Sequence, residues 1–222
     1  MKSYNHYCAV AKALDAVGDR WTLLIIRELV GQGPCRYTDL MSGLPGIATN
    51  LLADRLASLE EAGIVRREQV PPPVAATLYH LTDTGTDLEP VLDALGIWGA
   101  RFMSEKGEPD QFRSHWFKRP VSMFLKDRAP NGPPISIQLS PEDYPAVIEA
   151  SQDGIRTRPG RVESPDLELV GPPHLVLGIL SGRLSVKEAK AAGLILTGRV
   201  AVLNSLRRDH ADATVANAVG AQ

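Results

Sequence analysis

In the segment after the turn at residues 42–46, small and polar side chains share a predicted helix with leucines. The leucines on one side are Leu52, Leu56 and Leu59, and the residues on the opposite side are Thr49, Asn50, Ala53 and Ala57. Asparagine can form two hydrogen bonds with adenine, a threonine hydroxyl can donate to a base or a phosphate, and alanine permits close approach. This side of the helix is therefore suited to base edges in a DNA major groove. An alternative for Asn50 is that it only caps its helix.

Basic residues flank this helix. Arg36 and Tyr37 open the preceding predicted helix, where they could fix the register on the DNA backbone, and Arg66 and Arg67 lie in a following strand. Because neighbouring strand residues face opposite sides, we expect only one of this arginine pair to point at DNA. Arg55 lies between the two helix sides and can contact a phosphate. It can equally form a structural ion pair with Glu28, Glu60 or Asp54.

The elements around these residues follow a recognisable order. Helical spacing of apolar residues predicts helices over residues 8–17, 21–30, 36–41 and 48–62, with Asp19 capping the second and Gly63 ending the fourth. Alternation predicts strands over residues 64–70 and 76–81, and Thr82 or Asp83 caps a long helix that runs through Trp98. The resulting order is helix, helix, short helix, turn, helix, hairpin and helix. This order is typical of a winged helix-turn-helix.

Several separated motifs resemble one family in the order that it has them. They are Tyr7-Cys8-Ala9-Val10 within residues 7–15, Gly18-Asp19-Arg20-Trp21 within residues 18–29, Leu44-Pro45-Gly46-Ile47, residues 56–65, Tyr79-His80-Leu81-Thr82 within residues 79–85, and Trp98-Gly99. They resemble the HxlR-type transcriptional regulators. The resemblance implies a bacterial repressor or activator that binds a double-stranded DNA operator as a homodimer through its first and last helices. Alanine stands at 53 where the family often has serine, and Arg36-Tyr37 stand where it often has Arg-Phe, so operator preference does not carry over.

Cys8 occupies the position of a cysteine that senses oxidants in some HxlR-type members. A sensing thiol needs an exposed, electropositive setting, and Cys8 begins a predicted helix near His6 and Lys12. The alternative is a small packing residue without redox activity. Cys35, beside Pro34, is a weaker candidate.

The second half predicts a mixed α+β domain. Strands are expected over residues 121–125, 134–139, 155–158 and 167–170, a strand or short helix over 144–150, and helices over 172–180, 186–192 and 200–206, with Ser185 as a cap and a frayed tail from Asp209. Residues 166–171, 174–185 and 193–198 resemble the sterol carrier protein fold. That fold has an apolar tunnel, which implies a hydrophobic small-molecule effector. The candidate pocket residues are Leu175, Leu177, Leu180, Leu194 and Leu196. Alternatively, these leucines simply fill a small core.

Composition and motif content argue against several other classes of protein. The chain has 222 residues, 24 basic and 26 acidic, for a net charge of −2, which argues against DNA binding by bulk charge. Apolar runs such as residues 23–26 are far shorter than the roughly 20 residues of a membrane span, and the first residues lack a signal-peptide core, so we expect a cytoplasmic protein with no membrane partner. No phosphate-binding, hydrolase or zinc-protease motif occurs, so we expect no enzyme activity, no catalytic residue, no metal and no cofactor.

The polar segment at residues 106–110 predicts a domain boundary. The expected architecture is a mainly α winged helix-turn-helix domain over residues 1–107, followed by an α+β domain like sterol carrier protein over residues 108–222. The expected function is transcriptional regulation, by repression, with a ligand-sensing second domain. The alternative is a ligand-carrier or protein-interaction module that has lost DNA binding, as Asp54 near the presumed DNA surface would allow.

Overall fold

The computed structural model describes residues 3–73, 75–103, 111–141 and 144–206. The chain divides into two compact units, Met1–Leu95 and Gly96–Gln222. The predicted linker at residues 106–110 and the tail from Asp209 lie outside the described residues. Within the described residues, no helix combines the length and the apolar character needed to cross a bilayer.

The first unit begins with helices and continues with a hairpin. Its elements are α1 (Ala9–Val17), α2 (Thr22–Gln32), β1 (Cys35–Arg36), α3 (Tyr37–Gly43), α4 (Thr49–Glu61), β2 (Val65–Val70), β3 (Ala76–Leu81), α5 (Asp83–Thr86) and α6 (Glu89–Gly99), which runs across the unit boundary. The strands form an antiparallel sheet in the order β1-β3-β2. This is the helix and hairpin order of a winged helix-turn-helix, as predicted.

A single apolar core holds these elements together. Ile25 and Ile26 of α2, Leu40 of α3 and Leu52 of α4 are fully buried in it. Burying side chains of this size stabilises a fold by about 1.5–3 kcal/mol each. The core therefore fixes α4 through its leucine side and leaves the opposite side free.

Two local predictions for the first unit are wrong. Asp19 does not cap α2, because the helix begins at Thr22 and its N-cap is Trp21, with a left-handed φ of 78°. The predicted long helix after Thr82 is interrupted and forms α5 and α6. Pro90 explains the break, since it has no N–H to donate to the Thr86 carbonyl and is tolerated only in the first turn of a new helix. The Thr82 cap itself is confirmed, with its Oγ1 accepting from the Gly85 N–H at 3.1 Å.

The second unit combines helices with a mixed sheet. Its elements are a 3₁₀ turn (Ser114–Phe117), α7 (Lys118–Phe124), β4 (Ile135–Ser140), β5 (Ala146–Ser151), β6 (Gly154–Pro159), β7 (Leu167–Val170), α8 (Pro173–Leu180), α9 (Val186–Ala191), β8 (Ile195–Gly198) and α10 (Val202–Leu206). The strand order is β6-β5-β4-β7-β8, with β4 and β7 parallel and the other neighbours antiparallel.

Alternate residues of the central strands build the core of this unit. Ile137, Ile148 and Leu167 face each other across β4, β5 and β7 and are fully buried with side chains from α7, α8, α9 and α10. On the opposite sheet face, the buried amide of Gln138 donates to the carbonyls of Ala146 and Gly160 and accepts from the N–H of Val162. This amide therefore ties the segment after β6 to the sheet.

The predicted strand at residues 121–125 is wrong, because most of that segment lies in α7. Phe117, Val121 and Leu125 recur every four residues and are all buried, which is helical spacing. Val121 and Leu125 also fit alternation with Met123, so the short run was ambiguous. Pro120 is compatible with the helix because it lies in the first turn.

Candidate nucleic-acid interface

Helix α4 presents a solvent-facing side of small and polar residues. Leu52, Leu56 and Leu59 are buried in the core, whereas Thr49, Asn50, Ala53 and Ala57 are exposed, as is the acidic Asp54 next to Ala53. The N-cap is Ala48, so the interpretation of Asn50 as a helix cap is wrong. At the other end, the Ile64 N–H donates to the Leu59 carbonyl at 3.0 Å and Gly63 has a φ of 68°, a left-handed helix end that glycine adopts without strain.

Tyr37 holds the beginning of α4 in place. Its Oη donates to the Thr49 carbonyl at 2.6 Å, twelve residues away. The neighbouring Arg36 is the N-cap of α3, where its backbone N–H donates to the Asp39 carboxylate at 2.9 Å, and its side chain is exposed. Among the described residues, the guanidinium of Arg36 makes no ion pair. Tyr37 is thus engaged in positioning α4, whereas the exposed guanidinium of Arg36 is available to a phosphate.

The two hairpin arginines lie on opposite faces of β2. Arg66 shares a face with Glu68 and His80, and its Nη1 lies 3.0 Å from the Glu68 carboxylate. The same oxygen of Glu68 lies 3.3 Å from His80 Nε2. Arg67 is on the other face, where its Nε lies 3.6 Å from Glu60 of α4. Each of these arginines therefore has a carboxylate neighbour that a phosphate would have to displace or share.

A tyrosine lies beside the Arg67–Glu60 pair. Burial, followed by the nearby Glu60 carboxylate, raises the pKa of Tyr79, and only the neighbouring Arg67 opposes this shift. Tyr79 therefore stays a neutral phenol at any pH at which the protein would meet DNA. The negative charge on this face of the hairpin comes from Glu60 and not from the phenol.

Arg55 forms an ion pair, but with none of the predicted partners. Its Nη1 lies 3.2 Å from the carboxylate of Asp19, and its Nε donates to the Arg20 carbonyl at 3.4 Å. Of the three predicted partners, buried Glu28 is bonded by Arg27 and Gln32 instead. A partner 36 positions away in the chain could not be found from local spacing.

The two cysteines have contrasting surroundings. Cys8 is exposed and lies at the N-cap of α1. Cys35 is buried, and burial together with the nearby Asp39 and Glu28 carboxylates raises its pKa to about 12. Because the thiolate is the reactive form, Cys35 is an inert thiol at neutral pH, and the accessible one is Cys8.

The candidate pocket leucines of the second unit lie in or against its core. Leu175, Leu180 and Leu194 are buried core residues. Leu177 and Leu196 are only partly buried and pack against the same core. The first three therefore have their apolar surface covered by the protein itself, while the other two retain some exposed surface.

Comparison with known proteins identifies the family of the first unit. The model of the HxlR-like helix-turn-helix family matches residues 16–107. An HTH-type transcriptional regulator of Synechocystis sp. is 33% identical over 102 residues, which make up 46% of this chain and 75% of the relative. The regulator YodB of Bacillus subtilis is 36% identical over 90 residues, or 40% of this chain and 80% of YodB. The chain belongs to the HxlR-like helix-turn-helix family.

Solved structures of two regulators match a similar share of the chain. Reduced YodB of B. subtilis matches 46% of this chain and 100% of its own, with 32% identity and a TM-score of 0.40. The redox regulator HypR in its oxidised form matches 41% of this chain and 94% of its own, with 31% identity and a TM-score of 0.38. The family model ends at residue 107, so membership describes the first part of this HxlR-like chain.

Proposed function

We propose that this HxlR-like chain is a sequence-specific DNA-binding transcriptional regulator, acting as a repressor, with α4 as its recognition helix. The observation that carries the proposal is the exposed side of α4. Asn50 lies at the second helical position, its amide makes no hydrogen bond within the described residues, and small Ala53 and Ala57 follow on the same side. A helix of this kind can enter a major groove with its first residues against base edges.

Positive charge next to α4 supplies the proposed phosphate contacts. Arg36 is the N-cap of α3, the helix before the turn, and Arg66 and Arg67 project from opposite faces of the hairpin. Two of these three have carboxylate neighbours, so the local charge is modest. Affinity for unrelated DNA should therefore be weak, and affinity for an operator should depend on contacts from Thr49 and Asn50.

The proposed regulator is a homodimer, as exposed apolar stripes on its first and last helices support. The stripe at the first helix consists of Tyr7, which lies just before the N-cap, and of Val10 and Leu14 in α1. The stripe on α6 consists of Val91 and Leu95. All five side chains are exposed. Spacings of three and four residues place each set on one helix side. Contiguous exposed apolar side chains on a soluble protein mark contact surfaces, and a second copy would cover both stripes.

Charge substitution tests the dimer. Leu14→Glu or Leu95→Glu should convert the full chain to a monomer in sedimentation equilibrium and weaken operator binding, since a buried unpaired carboxylate opposes association. Ile195→Glu, at an exposed apolar residue of β8 in the second unit, is the control and should leave the dimer intact. A wild-type chain that sediments as a monomer at micromolar concentration would refute this part.

The second unit is proposed to bind a hydrophobic small-molecule effector. The partly exposed Leu177 and Leu196, which adjoin a complete apolar core, support this by offering surface that a ligand can cover. A hydrophobic compound library should include members that raise the melting temperature of the full chain and change its operator affinity. Absence of any thermal shift would remove the effector from the proposal.

Cys8 is the proposed redox-sensitive position. Its exposure at the N-cap of α1, next to the exposed Tyr7 and two residues before the exposed Val10, supports a link between thiol oxidation and the proposed dimer surface. Peroxide should then change operator binding by the wild type and leave Cys8→Ser unaffected. Unchanged operator binding by the wild type after peroxide treatment would refute the proposed redox role of Cys8.

A selection from genomic fragments tests the function as a whole. The full-length chain, incubated with sheared genomic DNA at 150 mM salt, should enrich a small set of fragments that share a pseudo-palindromic element. Asn50→Ala should enrich a different or broader set, because the proposed adenine contact is lost. A wild-type chain that enriches no sequence would instead favour the carrier or protein-interaction alternative.

A further inference from the structure

The loop between α1 and α2 is joined directly to the middle of α4. Arg55 of α4 pairs with Asp19 at 3.2 Å and donates to the Arg20 carbonyl at 3.4 Å, so one guanidinium contacts two consecutive loop residues. The side chain of Arg55 is 23% exposed, against 58% for Asp19. The arginine is thus mostly covered, and its carboxylate partner reaches it from the solvent side.

The loop itself is held in a defined conformation. At its start, a Cβ on Gly18 would lie 2.5 Å from the Leu14 carbonyl oxygen, so a side chain cannot be accommodated there. At its end, Trp21 has a left-handed φ of 78°, which a non-glycine residue adopts only where its surroundings impose it. The indole of Trp21 is partly buried against the core, and a Cβ on Gly46, in the turn before α4, would lie 3.9 Å from its ring.

These contacts bracket α4 from two directions. Trp21 reaches the turn that precedes the helix, and Arg55 ties the second turn of the helix to Asp19 and Arg20. Tyr37 adds a third anchor at the first residue. Leu52, Leu56 and Leu59 hold the helix against the core, and the Arg55 contact adds a directional polar constraint on its tilt.

We propose that Arg55 is a positioning residue for DNA recognition, which sets the angle of α4 through Asp19 and the Arg20 carbonyl and makes no phosphate contact. The inference rests on the proposed function, since it concerns how the recognition helix is presented. Nε and Nη1 of the guanidinium are committed to these loop acceptors, and the side chain is mostly covered, so the group is oriented toward the loop. Loss of the tilt constraint should reduce discrimination between the operator and other DNA. Base contacts depend on the alignment of α4 in the groove, whereas the attraction between basic side chains and phosphates does not.

Two kinds of measurement distinguish positioning from phosphate contact. Binding of the full-length chain to a selected operator duplex and to a scrambled duplex of equal length is followed by fluorescence anisotropy between 50 and 200 mM salt. The variants are Arg55→Gln, Asp19→Asn and the two combined. Arg66→Gln provides a comparison at a proposed phosphate-contacting cation.

A positioning role predicts the same defect from either side of the ion pair. Arg55→Gln and Asp19→Asn should each weaken operator binding by about three- to tenfold, the usual range for one lost hydrogen-bonded contact. The combined variant should be no worse than Arg55→Gln alone, since Asp19 acts through Arg55. Binding to the scrambled duplex and the slope of log affinity against log salt should stay at wild-type values.

A phosphate contact predicts the reverse pattern, and it would overturn the inference. Arg55→Gln would then weaken both duplexes alike and reduce the salt slope by about 0.9, as one lost phosphate contact requires. Asp19→Asn would strengthen binding or leave it unchanged, because the arginine would be released from a competitor. Asp19 is exposed enough that Asp19→Asn should fold normally, so this arm stays decisive if Arg55→Gln is unstable.

Failure of the inference and failure of the proposed function remain distinguishable. A wild-type chain that binds operator and scrambled DNA equally well would overturn the proposed function and the inference with it. A selective wild type whose Arg55→Gln variant keeps full selectivity would overturn only the inference.

Discussion

Truncating the Asn50 side chain is the sharpest test of how α4 reads DNA. Asn50 is exposed, lies two positions after the N-cap and makes no hydrogen bond within the described residues. Asn50→Ala therefore removes no folded-state contact, and alanine is the better helix former by less than about 0.7 kcal/mol. The melting temperature should stay the same or rise slightly, which separates recognition from folding.

The expected cost on the operator is that of one bidentate base contact. Such a contact is worth about 1–3 kcal/mol, so the dissociation constant should rise by about 5- to 150-fold. On a scrambled duplex the constant should not change, because Asn50 carries no charge. Substituting each operator base pair in turn should show that the variant has lost its preference at one position only.

Asn204→Ala supplies a matched control for this substitution. Asn204 is also an exposed helical asparagine, but it lies in α10 of the second unit. It should affect neither duplex. The reasoning fails if Asn50→Ala weakens both duplexes alike, or if operator affinity is unchanged while the variant remains folded.

Three further predictions concern anchors and titratable groups. Tyr37→Phe removes the 2.6 Å hydrogen bond to the start of α4 and should lower the free energy of unfolding by about 0.5–1.5 kcal/mol, as measured by urea denaturation. Cys8 should react with Ellman's reagent at pH 7.5 in the native protein, whereas Cys35, buried with a pKa raised to about 12, should react only after unfolding. The Ser136 backbone N–H, with further help from Arg199, lowers the pKa of Asp166, so this carboxylate stabilises the fold above its unfolded pKa. That stabilisation should disappear as pH falls below about 4, and Asp166→Asn should be less stable at pH 7 but lose less on acidification.

Each of these has an outcome that would contradict it. A Tyr37→Phe variant as stable as the wild type would mean that the hydroxyl bond does not hold α4. Equal labelling rates for the two thiols would contradict the burial of Cys35. If Asp166→Asn and the wild type lose stability in parallel between pH 7 and pH 3, the Asp166 contacts do not bias its titration.

Local sequence patterns correctly predicted the elements for which the capping residues and the spacing of apolar residues indicate the same helix bounds. Gly63 after α4 and Ser185 before α9 are examples, and the latter forms a capping box in which Glu188 reaches back to the Ser185 N–H at 2.8 Å. Residues 121–125 were misassigned because alternation and helical spacing coincide over so short a run. Only the buried Phe117, one turn earlier, resolves the ambiguity.

The candidate site was predictable in composition but not in its internal contacts. The exposed side of α4 follows from three leucines at helical spacing, which is local information. The pairing of Arg55 with Asp19 and of Tyr37 with the Thr49 carbonyl depends on how helices pack, and no spacing rule reports it. Asp19 was expected to cap a helix, but the left-handed Trp21 takes the cap position and leaves the carboxylate free to pair.

Hydroxyl-radical footprinting of the full-length chain on a selected genomic fragment tests the central claim most directly. A dimeric winged helix-turn-helix predicts two protected half-sites related by a dyad, with centres about one helical turn (roughly 34–36 Å) apart. The Asn50→Ala variant should leave the same fragment unprotected at concentrations at which the wild type protects it. Protection of a single site without a dyad, or no protection on any fragment, would contradict the account.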